Sequence, residues 1–308
     1  MLPTRPPIAN HNTSPTPFVG LFTGGHAMTN ADFILQLNQN ETWNMDRLHF
    51  HDHFELLLPL TSPGSIFVND QVYPLESGTL YLIGENTLHR TMVDGLHTRY
   101  VLHISRKTLI DLSTPQTDFT RLAQESFRRA ALSESQISEL ITLFKALESN
   151  KNDGSFGSDI RQMMALLELL LRVSPTLNAA TAGESIRNKD FMRVAPILDY
   201  IRDNLSEPLT LDQIASQFYI SKHYLCRIFK SATGSSVMEY IIYSRVLRAR
   251  QLLKQGISVQ QAGELSGFSD NSHFIRTFGH LTGITPGRYA KEYQSSDQII
   301  MHENLIQR

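Results

Sequence analysis

The sequence predicts an α+β multidomain chain: a small antiparallel β-barrel followed by helices at the front, then an all-α domain of two helix-turn-helix units joined by a long helix. Three observations predict it. Between residues 211 and 283 one pattern occurs twice, first as LDQIASQFYISKHYLCRIFKSATG and then as VQQAGELSGFSDNSHFIRTFGHLTG. From about residue 20 to 105 the apolar residues come in short runs punctuated by turn residues, as strands do. From Asp118 to Val173 they return at helical spacing. The chain has 308 residues, 41% of them hydrophobic, which is enough for more than one core.

In chain order, residues 1–17 are rich in Pro, Asn and Thr, lack the basic start and apolar centre of a secretory signal, and are expected to form a disordered tail. No apolar run approaches membrane-spanning length. The barrel is expected over residues 18–110, with strands in FELLLPL, in SIFVNDQVYPL around an Asn69-Asp70 hairpin turn, in TLYLIG and in HTRYVLHIS. Within it lies HFHDHFE, residues 49–55. Strand alternation puts His49, His51, His53 and Glu55 on one face and Phe50, Asp52 and Phe54 on the other. Three imidazoles and a carboxylate make a poor wall for an apolar core, so the face reads as a binding surface or as a structural polar cluster. Arg99 would add to such a surface, and Trp43 is either a core or rim residue or a stacking platform.

Residues 111–173 are expected to be helical. Ile137, Leu140, Ile141, Phe144 and Leu147 form one stripe behind a Ser133 to Gln136 capping box; Ile160, Met163, Met164, Leu167, Leu170 and Leu171 form another after NDGSFG. Such stripes pack against a second copy of the chain or back on the barrel. Residues 174–190 are small and polar and read as an interdomain linker.

The all-α domain is expected over residues 191–294, with a tail at 295–308. In its first unit Leu211, Ile214, Ala215 and Phe218 share a helical face, Tyr219 to Ser221 turn the chain, and Leu225, Ile228 and Phe229 bury the next helix, with Ser221 as N-cap. In the second, Val259, Ala262, Leu265 and Phe268 make the stripe, Gly267 supplies the turn, Phe274 and Phe278 anchor the following helix, and Ser269 or Asp270 caps it. The stretch Val237 to Lys254 is an unbroken helical pattern ended by Gly256. At 1.5 Å per residue it spans roughly 27 Å, close to the ~34 Å that separates successive major-groove segments on one face of B-DNA. Charge supports nucleic acid weakly: residues 191–294 carry 12 Lys and Arg against 8 Asp and Glu, while the whole chain has a net charge of −2. Cys226 is the sole cysteine, which excludes intramolecular disulfides and suits a reducing, cytoplasmic setting. Its thiol is either a small side chain fitted against DNA or a group whose oxidation switches binding off.

Residues 193–293 resemble the C-terminal DNA-binding domain of the AraC/XylS family of bacterial transcription regulators. The matching residues include LTLDQIA, YISKHYLCRIFK, TGSSVMEYI, Arg245, Ala249 with Leu252 and Leu253, GFSDNSHFIRTF, and TGITPGRY with Pro286 and Tyr289. Departures are Ala262-Gly263, Ser266 and Gly279. The resemblance implies that His223, Cys226 and Arg227 on the first reading helix, and Asn271, Ser272, Ile275 and Arg276 on the second, face base edges, while Lys222 and Lys230 are placed for phosphate. Asn pairs with adenine and Arg with guanine in a bidentate way, and Ile senses a thymine methyl. Arg227 and Arg276 are the leading candidates for DNA contact, to a base or to phosphate, with a helix-packing carboxylate as the alternative.

The front half resembles the cupin-like sensing domain common in this family. The matching pattern is two histidines one residue apart, a glutamate four positions later and a distant histidine: His49, His51, Glu55 and His89. His53 shares their face and matches no ligand position. The resemblance implies that these four bind a small-molecule effector, a sugar or related metabolite, or hold a divalent metal. No cofactor is required. It further implies a homodimer, promoter DNA and RNA polymerase as partners, no membrane, and activation in response to the effector. Two other readings stand beside this one: a ligand-independent dimeric regulator, and a metal-dependent cupin enzyme fused to a DNA-binding domain.

Overall fold

The computed structural model describes residues 33–40, 48–61, 64–93, 97–149, 155–186 and 189–293. The expected tails at 1–17 and 295–308, and Trp43, lie outside the described residues. Eight strands lie among the described residues: β1 (Phe33–Asn40), β2 (His53–Pro59), β3 (Gly64–Val68), β4 (Gln71–Leu75), β5 (Thr79–Ile83), β6 (His89–Val93), β7 (His97–Ser105) and β8 (Phe127–Ala131). They form two antiparallel sheets, one ordered β1-β7-β2-β5-β8 and one ordered β4-β3-β6. Asn69 and Asp70 both adopt left-handed backbone, with φ of 42° and 69°, as the tight turn between β3 and β4 requires.

The sheets pack face to face. Leu57, Tyr81, Ile83, Val101 and Phe127 of the large sheet meet Ile66, Val68, Tyr73, Leu75 and Val93 of the small one. The outer face of the large sheet, with Phe54, Leu56, Leu80, Leu82, Tyr100 and Leu102, is covered by helices. Both faces of β2 and β5 are thus buried, which is why FELLLPL and TLYLI read as continuous apolar runs without alternation.

After β7 the described residues form α1 (Arg106–Asp111) and a 3₁₀ turn (Phe119–Gln124), and after β8 come α2 (Glu134–Ser149) and α3 (Ser158–Ala179). The structure corrects the sequence reading here in three ways. The stretch expected as wholly helical contains β8, an edge strand that pairs with β5. The linker begins later than 174, because α3 runs through Pro175 to Ala179, held by burial of Leu177 and by Arg128, which donates to the Leu177 carbonyl at 3.1 Å. The stripe drawn on α3 shares only Leu170 with the fully buried face: Leu166, Leu169, Leu170, Val173 and Leu177 pack on the sheet, while Ile160, Met164 and Leu171 of that stripe are 60%, 63% and 48% exposed. On α2, Leu140, Phe144 and Leu147 face the sheet, and the Ser133–Gln136 capping box is present.

The back half contains α4 (Lys189–Asp203), α5 (Leu211–Gln217), α6 (Lys222–Thr233), α7 (Val237–Lys254), α8 (Val259–Leu265) and α9 (Asn271–Thr282), followed by a helical stretch over residues 286–293. Thr210, Ser221, Ser236, Ser258 and Asp270 each accept a backbone N–H of the helix they precede. The two units differ at their turns. Tyr219 takes a left-handed φ of 54° with its ring 96% exposed, whereas Gly267, at φ 90°, lies where a Cβ would come within 2.3 Å of the Leu205 carbonyl oxygen. Gly263 is likewise explained, since a Cβ there would meet the Phe274 ring at 2.8 Å. Buried Ser266 donates to the Ala262 carbonyl at 2.6 Å. Leu265, expected in the stripe, is 49% exposed, and the buried face of this unit runs through Ala262, Gly263 and Ser266 instead.

The front and back halves share a core. Leu48, Phe50, Phe67, Val72 and Leu88 of the sheets pack with Phe191, Ile197, Phe229, Tyr240, Val246 and Tyr289. The layers therefore run helices, large sheet, small sheet, helical domain. Among the described residues no helix is long and apolar enough to cross a membrane.

Candidate functional site

Helices α6 and α9 occupy equivalent places in the two units and bury equivalent faces: Leu225, Ile228 and Phe229 on α6, Phe274 and Phe278 on α9. The remaining faces are open. On α6, Lys222, His223, Arg227 and Lys230 are exposed and Cys226 is half-buried; on α9, Asn271, Ser272, Ile275 and Arg276 are exposed. The arginines have no carboxylate partner among the described residues, so the helix-packing alternative for Arg227 and Arg276 loses its support. The Arg227 guanidinium instead lies over the Tyr224 ring at 5.2 Å. Lys222 differs from the sequence expectation: its ammonium is 2.8 Å from Asp212, and a phosphate would have to compete with that carboxylate. Arg245 faces inward, donating to the carbonyls of Leu205 (3.1 Å) and Glu207 (2.7 Å) and so closing the C-terminal end of α4.

The second site lies between the sheets. Each of His49, His51, Glu55 and His89 offers one ligand atom, all within 4.8 Å of one another. Residues 48–50 lie against the small sheet, where His49 and His89 exchange backbone hydrogen bonds of 3.1 and 2.9 Å; the chain then bends at Asp52 and enters the large sheet as β2. Glu55 is 3% exposed and His89 fully buried. One carboxylate oxygen, Oε2 of Glu55, has three imidazole Nε2 atoms around it: His51 at 3.0 Å, His103 at 3.1 Å and His89 at 3.5 Å. His53 sits at the rim, its ring 6.4 Å from that of His103. Arg99, on the same strand as His103, is buried, and desolvation lowers its pKa to about 10, opposed by the charge of Glu55.

The proton inventory of this cluster does not close. Burial lowers His51 to a pKa of about 4, against a hydrogen bond to the Glu55 carboxylate that would raise it, so the ring is neutral near pH 7 and carries one N–H. Its Nδ1 is 2.9 Å from the His53 carbonyl and its Nε2 faces Glu55, yet both are acceptors. His89 repeats the arrangement: Nδ1 is 2.9 Å from the Thr87 carbonyl, and Nε2 is buried without a hydrogen-bond partner. In the tautomer that donates Nδ1–H to these carbonyls, each Nε2 would present a lone pair beside the Glu55 carboxylate. Carbonyl-held Nδ1–H groups are what orient histidines for metal ligation, and three neutral imidazoles with a carboxylate suit a first-row divalent ion. The residues therefore fit a cation. His103, whose Nε2 donates to Glu55, holds the carboxylate in place.

His103 was not singled out from the sequence. The signal was there in HTRYVLHIS, whose alternation puts His97, Arg99, Val101 and His103 on one face, but only the register of β2 with β7, which opposes Glu55 and His103, selects it.

Comparison with known proteins gives three findings. Residues 214–292 match the model of a helix-turn-helix domain family. The chain is 31% identical over 119 residues to the multiple antibiotic resistance protein MarA of Escherichia coli, covering 94% of that protein and 38% of this chain. Over most of its length it is similar to the HTH-type transcriptional regulator YfiF of Bacillus subtilis (26% identity, 81% of this chain, 80% of that one) and to the HTH-type transcriptional activator RhaR of Mannheimia succiniciproducens (23% identity, 80% and 87%).

Proposed function

The chain belongs to the AraC/XylS family of transcription regulators, and on that premise we propose that it is a dimeric activator governed by a small polar effector in the front half. Binding to double-stranded DNA falls to α6 and α9: Arg227, Arg276 and Asn271 read base edges, and Lys230 holds phosphate. The effector site is the cluster of His49, His51, Glu55 and His89, with Arg99 as a further polar group. A divalent cation held by those four residues, when bound, would supply a Lewis-acidic anchor for a hydroxyl or carboxylate oxygen of the effector. His103 orients Glu55 toward it. The observation that carries this reading is the convergence of His51, His89 and His103 Nε2 within 3.5 Å of one buried Glu55 oxygen, with the His89 Nε2 buried and without a hydrogen-bond partner, since such a group costs stability unless something occupies it. The similarity to RhaR, which is named an activator, supports the direction of control. Dimerisation is assigned to the outer face of α3, where Ile160, Met164 and Leu171 remain exposed after the inner face has packed.

A thermal-shift screen of the chelator-treated full-length protein tests this reading. Zinc and manganese ions, then sugars, sugar phosphates and organic acids with and without the ion, are expected to raise the melting temperature in a concentration-dependent way. Glu55→Gln should abolish the shift. A protein that responds to none of them is a regulator controlled by its dimerisation alone.

A further inference from the structure

The four residues from His49 to Asp52 touch both halves of the molecule. His49 and His51 turn toward Glu55 and His89, while Phe50 and Asp52 turn toward the helical domain. The Phe50 ring meets Tyr243 edge-on with centroids 6.0 Å apart and lies 4.9 Å from the Arg250 guanidinium. Asp52 is ion-paired with that same guanidinium. Arg250 is 1% exposed, and the Tyr289 ring lies 4.8 Å from it. A charge this deep is tolerated only with its counter-ion in place, so Asp52 and Arg250 move together or separate at a cost.

The same segment is held to the effector side by backbone. His49 and His89 exchange two hydrogen bonds, and the Asn86 N–H donates to the His51 carbonyl at 2.9 Å. Side chains alternate along so short a stretch, so a displacement of the imidazoles is a displacement of Phe50 and Asp52. Their partner is α7, the helix that joins the two reading units. A second tie binds α7 to the small sheet: Tyr240 donates its hydroxyl proton to Asp70 in the β3–β4 turn, and Arg202 reaches the same carboxylate at 3.3 Å.

We propose that residues 49–52 are a two-sided coupling element, through which the imidazole and carboxylate cluster and the DNA-reading helices sense one another, with Asp52–Arg250 as its latch. The proposal rests on DNA binding and leaves the identity of the effector open. Thermodynamic linkage makes the coupling reciprocal, so it is measurable from the DNA side with no effector present.

Hydrogen–deuterium exchange of the full-length protein, with and without a duplex enriched from a random pool by the wild-type chain, is the test. Duplex binding is expected to change exchange in peptides covering residues 48–56 and 84–93 by about fivefold or more, the low end of ordinary allosteric coupling. In Arg250→Met and in Asp52→Asn the duplex should still bind and the change should vanish. Asp52 is 38% exposed, so its isosteric replacement carries the test if Arg250→Met does not fold. An unaltered exchange pattern in the wild type, or a response that persists in Asp52→Asn, overturns the proposal. Zinc affinity measured by chelator competition separates the two readings: no zinc binding sinks the proposed cation and leaves the exchange result standing.

Discussion

Arg227 and Arg276 stand at equivalent places on α6 and α9, exposed and without a carboxylate partner among the described residues. Alanine at either should cost about 1–3 kcal/mol on a specific duplex if the arginine reads a base. Fluorescence anisotropy on specific and random duplexes checks this: equal losses on both would reassign the side chain to phosphate. The candidate residues on these helices were legible because a repeated pattern fixes which face of a helix is apolar, and the opposite face follows. His103 was not, since it becomes a neighbour of Glu55 only through pairing between strands 48 residues apart. The role of Arg250 was equally hidden. It reads as one of several arginines on a helix, and only the docking of a distant strand turns it into the partner of Asp52.

At the level of the element, α7 was legible in its length and its end, from the unbroken pattern and Gly256, while the Ser236 cap that starts it is seen in the structure. β8 was missed because FRRAA has neither alternation nor β-branched residues, and its edge position is set by β5. For α3 the helical spacing was visible, but the stripe chosen held only one residue of the fully buried face, Leu170, because apolar residues line both sides of the helix and the sequence does not say which side meets the sheet. The side left exposed yields an expectation. Met164→Glu should shift the chain from dimer to monomer in sedimentation velocity while leaving the melting temperature nearly unchanged, because the side chain is 63% exposed. If the sedimentation coefficient does not change, α3 is not the contact.

For the whole molecule, two halves with separate duties share one apolar core, through Phe50, Phe67 and Val72 on one side and Phe229, Tyr240 and Tyr289 on the other. Calorimetry should therefore show the halves unfolding in one overlapping transition, and Arg250→Met should draw it apart into two. Two resolved transitions in the wild type would mean that the shared core contributes little. The duplicated units, finally, are not equally free to drift. Gly267 is wedged against the Leu205 carbonyl and the Arg245 guanidinium, so a library of substitutions at that turn should return glycine alone. Tyr219 occupies the matching turn with its ring in solvent, and a library there should accept many residues, with glycine and asparagine enriched for their ease in left-handed backbone. Mutational change can accumulate at the turn of the first unit, while the second is held to one residue by the helix beside it.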